Sequence, residues 1–489
     1  MGGGVDVQTI ETGRIGILFS MRHVALLLLL IAIVLGGYLR FSDLGRLEMS
    51  DDEGASWAAA AAPSLSGVVA LQGRLNPGKL GVHELALHGW MALFGDHIVA
   101  QRSLSAALGT ISILFVFWIA WELSRPPPDC EDVGWAARDE ATLIAALGAV
   151  VYAANLVTIK YAREARMYPV MLGATLLQVG FFVRASRRGG IVSYLGAALF
   201  AIVAIAANFA AALIPASEGL WLLYLLMRSG VRLQNPESRR AWSLLAALAL
   251  AALAFFAFAM PAVHGATTAV ENGAITWIKL PAIWEPVALF NKATGTFAFP
   301  LLALAATYGA WRGWRYRPDA VRFALLWMWA PLVLMVMVSY AVRPLFVERY
   351  ALSCFVPFFI LVGIGIWELR DQRWRAAALL IVLAISLGHV AVFDRKSHDA
   401  QWREAAGLGA ASLRAGETMT AVPAYSISVV RYYLPPAERG RAIDFVRRHR
   451  DASVVLLRDH GVAPPVAKTI HRDYPVELAK LRGVIVLRR

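Results

Sequence analysis

Cysteine and charge are what this chain has least of. Only Cys130 and Cys354 occur in 489 residues. Two thiols cannot build a cysteine-based metal site, and one falls in an expected loop while the other falls in an apolar run, so a structural disulfide is not expected. Charged residues make up 17%, against about 25% in ordinary soluble chains. Hydrophobic residues make up 58%, which places the chain in the membrane class ahead of a string of soluble domains. No glycine-rich loop follows a strand in the manner of a nucleotide site, and there is no internal repeat. His83 and His88 lie five apart, a poor spacing for two ligands on one helix face. The net charge is +13, but the basic residues gather in short loops between apolar runs. That pattern fits membrane topology and argues against a nucleic-acid partner.

Runs long enough to approach a membrane span, roughly 20 residues, occur near 17–39, 103–123, 141–158, 167–183, 191–208, 210–227, 242–262, 298–311, 324–341, 351–367 and 376–393. They predict a mostly α, polytopic protein of about eleven transmembrane helices. The pair 191–208 and 210–227 reads as a tight helical hairpin. No small-residue cleavage site follows the first run, so it is expected to be retained as a span. Arginines cluster at 184–188, 228–240, 312–322 and 370–375, which puts the N-terminus and these loops in the cytoplasm. Residues 40–102, 159–166, 263–297 and 394–489 are then expected outside. After Asp394 the composition turns soluble. Helix is expected over 404–415 and short buried strands over 418–422, 453–457 and 484–487. The division read from sequence is a membrane domain over 1–393 and a small outer α/β domain over 394–489.

Three outer segments carry candidate chemistry. The first contains Asp51, Asp52 and Glu53, which could act as a base, hold a metal, or simply complement a helix start. The second contains Arg163, Arg166 and Tyr168; the third contains Glu348, Arg349 and Tyr350. Arginine on the side where the topology disfavours it fits a phosphate gripped by two parallel hydrogen bonds, or lipid headgroup contact. Within a span, Glu218 is either functional or packed against a polar partner.

In order and in position relative to the spans, these segments resemble the GT-C membrane glycosyltransferases. The nearest branch is family 39, which holds protein O-mannosyltransferases and lipid A aminoarabinose transferases. The likeness runs through Asp52-Glu53, Asn76-Pro77, Trp90–Gly95, Arg102–Ala106, Tyr161–Tyr168, Glu348–Tyr350 and the outer tail with Trp402 and Arg431–Leu434. It implies a GT-C fold in a bacterial inner membrane. It also implies inverting transfer of a sugar from a polyprenyl phosphate to an envelope glycolipid, lipopolysaccharide or protein hydroxyl on the periplasmic face. Asp52 would be general base and Glu53 would orient it. Arg163, Arg166, Arg349 and Lys79 would bind the donor phosphate, with Asp51, Tyr168, Glu348, Tyr350 and Glu218 as candidate substrate contacts. No cofactor is required by the resemblance; a divalent cation at Asp51 and Asp52 is a secondary expectation. The chain departs from the family at Pro77-Gly78-Lys79-Leu80, where relatives often carry two prolines and an aromatic pair, a departure that implies an unusual substrate. The alternative to transfer is a transporter or flippase of lipid-linked sugars, for which repeats and midplane charge would be the expected signs.

Overall fold

A computed structural model describes residues 7–126, 135–271, 278–396, 400–442, 452–459 and 462–489. Cys130, Pro127 and Pro128 lie outside the described residues; Cys354 is buried. Helix dominates, with 19 helices among the described residues. In chain order they begin with α1 (Val7–Phe41), α2 (Asp51–Ala60), α3 (Leu65–Leu75), α4 (Val82–Phe94), α5 (Ile98–Ser124), α6 (Trp135–Ala153) and α7 (Leu156–Ala162). Next come α8 (Tyr168–Arg188), α9 (Ile191–Ala207), α10 (Leu213–Ser229), α11 (Pro236–Glu271), α12 (Glu285–Thr294) and α13 (Ala298–Tyr316). The last are α14 (Pro318–Ala341), α15 (Phe355–Trp367), α16 (Gln372–Lys396), α17 (Trp402–Arg414), α18 (Ile427–Tyr433) and α19 (Pro464–Asp473).

Every one of the eleven apolar runs is helical. Among the described residues seven stretches, in α1, α5, α8, α10 with the 3₁₀ turn before it, α11, α14 and α16, are long and apolar enough to cross a bilayer by themselves. Two more qualify as bent pairs: α6 with α7, turned by 62°, and α12 with α13, turned by 112°. The remaining runs form α9 and the short segment ending in α15. The hairpin expected around residue 209 is looser than anticipated: Asn208 caps a 3₁₀ turn over Phe209–Ala212. Beyond it, α9 packs mainly on α8 and α11, while α10 packs on α11 and α14.

The chain divides into two compact units. The first gathers residues 1–42, 105–163 and 168–393 and is helical. Helices in lipid associate through close backbone approach rather than through a hydrophobic effect between them, and glycine supplies it here. A Cβ at Gly365 would lie 2.0 Å from the Ala305 carbonyl, and one at Gly309 would lie 2.1 Å from the Leu361 carbonyl, so α13 and α15 meet through bare backbone. Gly363 and Gly148 serve α15 and α6 in the same way. Near the end of α1, the fully buried Arg40 donates to the carbonyls of Gly36 and Ala153 and to Thr158 Oγ1, at 2.9–3.0 Å.

The second unit gathers residues 43–104, 164–167 and 394–489. It contains a four-stranded sheet built from β1 (Met419–Val422), β2 (Val454–Arg458), β3 (Val476–Leu481) and β4 (Val484–Arg488), in the order β1-β2-β4-β3. β1 and β2 are parallel, with Met419 opposite Val454; β4 is antiparallel to both β2 and β3. The three buried strands coincide with the apolar runs expected from sequence. β3 was not expected, because it is an edge strand whose side chains are largely exposed and it lacks the apolar run that marks a buried strand. One face of the sheet joins α17 and α18 to Met49, Trp57 and Ile98 in a single hydrophobic core.

Candidate active site

The site is built at the start of α2. Ser50 is its N-cap: the Ser50 hydroxyl accepts from the Glu53 N–H, and the Glu53 carboxylate accepts from the Ser50 N–H at 2.9 Å, a reciprocal capping box. This pattern is local and legible in Ser50-Asp51-Asp52-Glu53. Three successive helical positions then point about 100° apart, so the three acids meet different surroundings.

Glu53 points inward and is 1% exposed. Arg102, at the start of α5, grips both of its oxygens at 2.8 Å. The Ala165 N–H donates to it at 2.8 Å, and the Ser50 N–H and hydroxyl complete the set. Burial by itself would raise this carboxyl; the Arg102 charge and the converging donors outweigh it and hold Glu53 below the usual carboxylate range. With its oxygens occupied, Glu53 is a positioning group. It ties α2, α5 and the segment 164–167 together. Arg102 completes the clamp on the carbonyls of Leu44, Leu47 and Glu48, at 2.7–2.9 Å.

Asp51 is also buried and pairs with Arg458 at the end of β2. Burial raises its carboxyl above the usual range, only partly opposed by Arg458.

Asp52 differs from both. Its side chain is 52% exposed, and its carboxylate lies 3.7 Å from the guanidinium of Arg166, which is itself buried. Arg166 also donates to the Asp52 carbonyl at 2.5 Å and to Ser56 Oγ at 2.9 Å. Ser56 in turn donates to the buried Glu84 at 2.9 Å, which fixes the arginine from behind. His83, on the first turn of α4, is fully buried in the same unit. Burial, reinforced by the charges of Arg166 and Lys79 and partly opposed by Glu84, holds its imidazole below the usual range. The arrangement therefore offers one accessible carboxylate beside a fixed cation, which suits proton removal next to a developing negative charge.

The helical unit holds the other residues singled out from sequence. Arg163 donates to the Leu39 carbonyl at 2.8 Å and to Ser42 Oγ at 2.9 Å, closing the end of α1. Arg349 lies over the Tyr168 ring, 5.7 Å from its centroid, a cation–π contact. Glu348 is held by Lys160 at 3.6 Å, Lys292 at 3.4 Å and the Tyr161 hydroxyl at 3.1 Å. Tyr350 belongs to the 3₁₀ turn Glu348–Tyr350. Glu218 is buried on α10 and accepts from the Gln178 amide on α8, so it has the polar partner that the packing reading asked for.

For a metal, no group of three or more His, Cys, Asp and Glu side chains converges among the described residues. His88 and His97 are engaged locally, with the Ala60 carbonyl and the Ala100 N–H. Sequence reasoning missed Ser56 and Arg458, and named Arg102 only within the resemblance, without a role. A role for Arg102, a basic residue in the first turns of α5, could have been assigned by the criterion that selected Arg166. Nothing local marks Arg458.

No family model and no curated protein matches the chain. Solved structures do. ArnT from Cupriavidus metallidurans in the apo state is 13% identical, with a TM-score of 0.57 over 98% of each chain. The same protein bound to undecaprenyl phosphate matches at 13% identity and a TM-score of 0.56, covering 97% of this chain and 98% of the other. The likeness spans essentially the whole length of both proteins, so this chain has the GT-C fold of ArnT.

Proposed function

We propose that this protein is a membrane glycosyltransferase that moves a sugar from a polyprenyl phosphate to a hydroxyl of an envelope glycolipid or protein. The accessible Asp52 carboxylate, 3.7 Å from the buried Arg166 guanidinium, carries the reading. It is supported by the shared fold with ArnT, one of whose structures holds undecaprenyl phosphate.

In the proposed reaction Asp52 takes the proton of the acceptor hydroxyl. The acceptor oxygen forms its bond to the anomeric carbon from the face opposite the phosphate. The bond from the anomeric carbon to the phosphate oxygen breaks, and its electron pair leaves with the polyprenyl phosphate. Arg166 stabilises the charge that grows there, with Lys79 as a further phosphate contact. Glu53 and Arg102 hold the first turn of α2, and so the direction of Asp52. The topology read from the arginine loops puts this chemistry on the periplasmic side.

The test is transfer by purified protein from a panel of radiolabelled polyprenyl-phosphate sugars to an envelope fraction. Wild type is expected to transfer one of them, and Asp52→Asn to lose about 100-fold or more, the lower range for general-base assistance. Equal transfer by both proteins would remove Asp52 as the base. If folded wild type binds polyprenyl phosphate yet transfers no sugar, the flippase reading takes its place.

A further inference from the structure

At the end of the helical unit opposite Lys160, Arg163 and Glu348, the helix termini surround a cavity of about 970 Å³. It lies where α5, α8, α10, α13 and α15 end and where α6, α11, α14 and α16 begin. Its volume is at the upper end of the range for small-molecule sites, about 300–1,000 Å³. Among the described residues the lining holds eight arginines against four acids. A bias toward basic loops on one side of a membrane asks only for charge near the helix ends; it does not ask for eight guanidinium groups around one space.

The pairing within the lining shows where the excess charge sits. Arg228 is matched by Asp319 and Glu237, Arg317 by Glu140 and Glu368, and Arg312 by Glu368. Arg125 is matched by Glu122, behind the lining. Of the other four, Arg187 lies in the field of Glu122 and Asp319, while Arg240, Arg370 and Arg375 form no ion pair with a carboxylate among the described residues. Arg187 donates to the carbonyls of Glu122 and Arg125. Arg240 donates to the Ser186 carbonyl at 3.1 Å. Arg375 donates to the Leu369 carbonyl at 2.8 Å and lies 3.9 Å from the Trp367 ring centroid. Arg370 is exposed at the rim. Like charges around one half-enclosed space repel each other, and more strongly than they would in open water. The wall beneath them is apolar and aromatic, with Val183, Trp221, Leu225 and Phe323.

We propose that this cavity is a binding site for a phosphate-bearing anion, separate from the transfer site and independent of the transfer reading. Guanidinium forks match phosphate oxygens two at a time, and a doubly charged group would neutralise the unpaired arginines. The same chemistry is offered by the headgroup of an anionic phospholipid, whose chains the apolar wall would take, and by a free phosphate compound.

The test uses full-length protein in a neutral detergent. Binding is followed by thermal shift and by native mass spectrometry with dihexanoyl phosphatidic acid, dihexanoyl phosphatidylcholine and inorganic pyrophosphate. One saturable equivalent of phosphatidic acid is expected, absent with phosphatidylcholine and weakened by salt. Affinity is expected to fall at least tenfold in the triple variant R240Q/R370Q/R375Q and to be kept in Asp52→Asn. The single variant R370E, at an exposed position, guards against misfolding of the triple variant and is expected to weaken binding in the same direction. Binding of phosphatidic acid alone identifies a lipid headgroup; pyrophosphate binding with the same variant sensitivity identifies a free anion, and either supports the site. The proposal is overturned if folded wild type binds neither compound saturably, or if R370E and the triple variant bind as tightly as wild type.

Discussion

Asp51, Asp52 and Glu53 are consecutive, yet each carboxyl has its own chemistry, because a helix turns each side chain into a different environment. Glu53 meets five donors, Asp51 meets one arginine in a buried setting, and Asp52 meets solvent and the edge of Arg166. His83 adds a pH dependence at this scale. Its folded-state value is held below the ordinary 6.5, so the unfolded chain binds more protons just below that pH. The contribution of His83 to stability is therefore present above about 6.5 and is lost as pH falls through that value. The unfolding temperature of the purified protein is expected to drop between pH 7.5 and 5.5, and less steeply in His83→Gln. Parallel curves for the two proteins would show that His83 does not titrate in that window. Sequence reasoning singled out Asp52 and Arg166, and the structure sets them 3.7 Å apart. It did not assign the pairings of Ser56, Arg102 or Arg458, whose partners lie 110, 49 and 407 positions away; no local pattern encodes such pairings.

At the scale of elements, α2 has to lie close to α18 for its first turn to be placed. Gly54 makes that possible: a Cβ there would fall 2.4 Å from Val429 Cγ2 and 2.8 Å from the Val429 backbone nitrogen. Backbone cannot yield as a flexible side chain can, so Gly54→Ala is expected to cost about 1–3 kcal/mol, as overpacking usually does. Gly73, inside α3, has nothing within 4 Å of its added Cβ. Gly73→Ala is expected to be neutral or to stabilise by up to about 1 kcal/mol, through helix propensity alone. Denaturation of the two variants side by side checks this; equal stability would mean that α2 and α18 can separate freely. Helix positions were legible because runs of about 20 apolar residues have few alternatives in lipid. The bends between α6 and α7 and between α12 and α13 were not, since each pair reads as one apolar stretch or a loop followed by one. Nor was β3, because an exposed edge strand has no buried face to declare itself.

On the scale of the whole molecule, the second unit is assembled from three stretches separated by long membrane segments. Met49, Trp57 and Ile98 share a core with Trp402, Met419, Val454 and Val486. Burying a side chain of this size contributes about 1.5–3 kcal/mol, so the outer loop and the tail depend on each other. A chain ending at Phe393 is expected to keep its membrane helices but to expose residues 43–104. Limited proteolysis in membranes checks this: rapid cleavage within 43–104 of the truncated protein is the expected result, and protection equal to full length would show that the loop folds alone.

The sequence by itself determined that this is a many-span helical protein, that its tail is an α/β piece, and that acids and arginines gather near helix ends. Those features follow from composition and from short-range periodicity, which one stretch of chain carries alone. Only the tertiary structure decided which acid is left accessible, that Arg102 holds Glu53, that Arg458 reaches back to Asp51, and that arginines from separate loops enclose one cavity. Each of these depends on contacts between residues far apart in the chain, and such contacts exist only once the helices have packed.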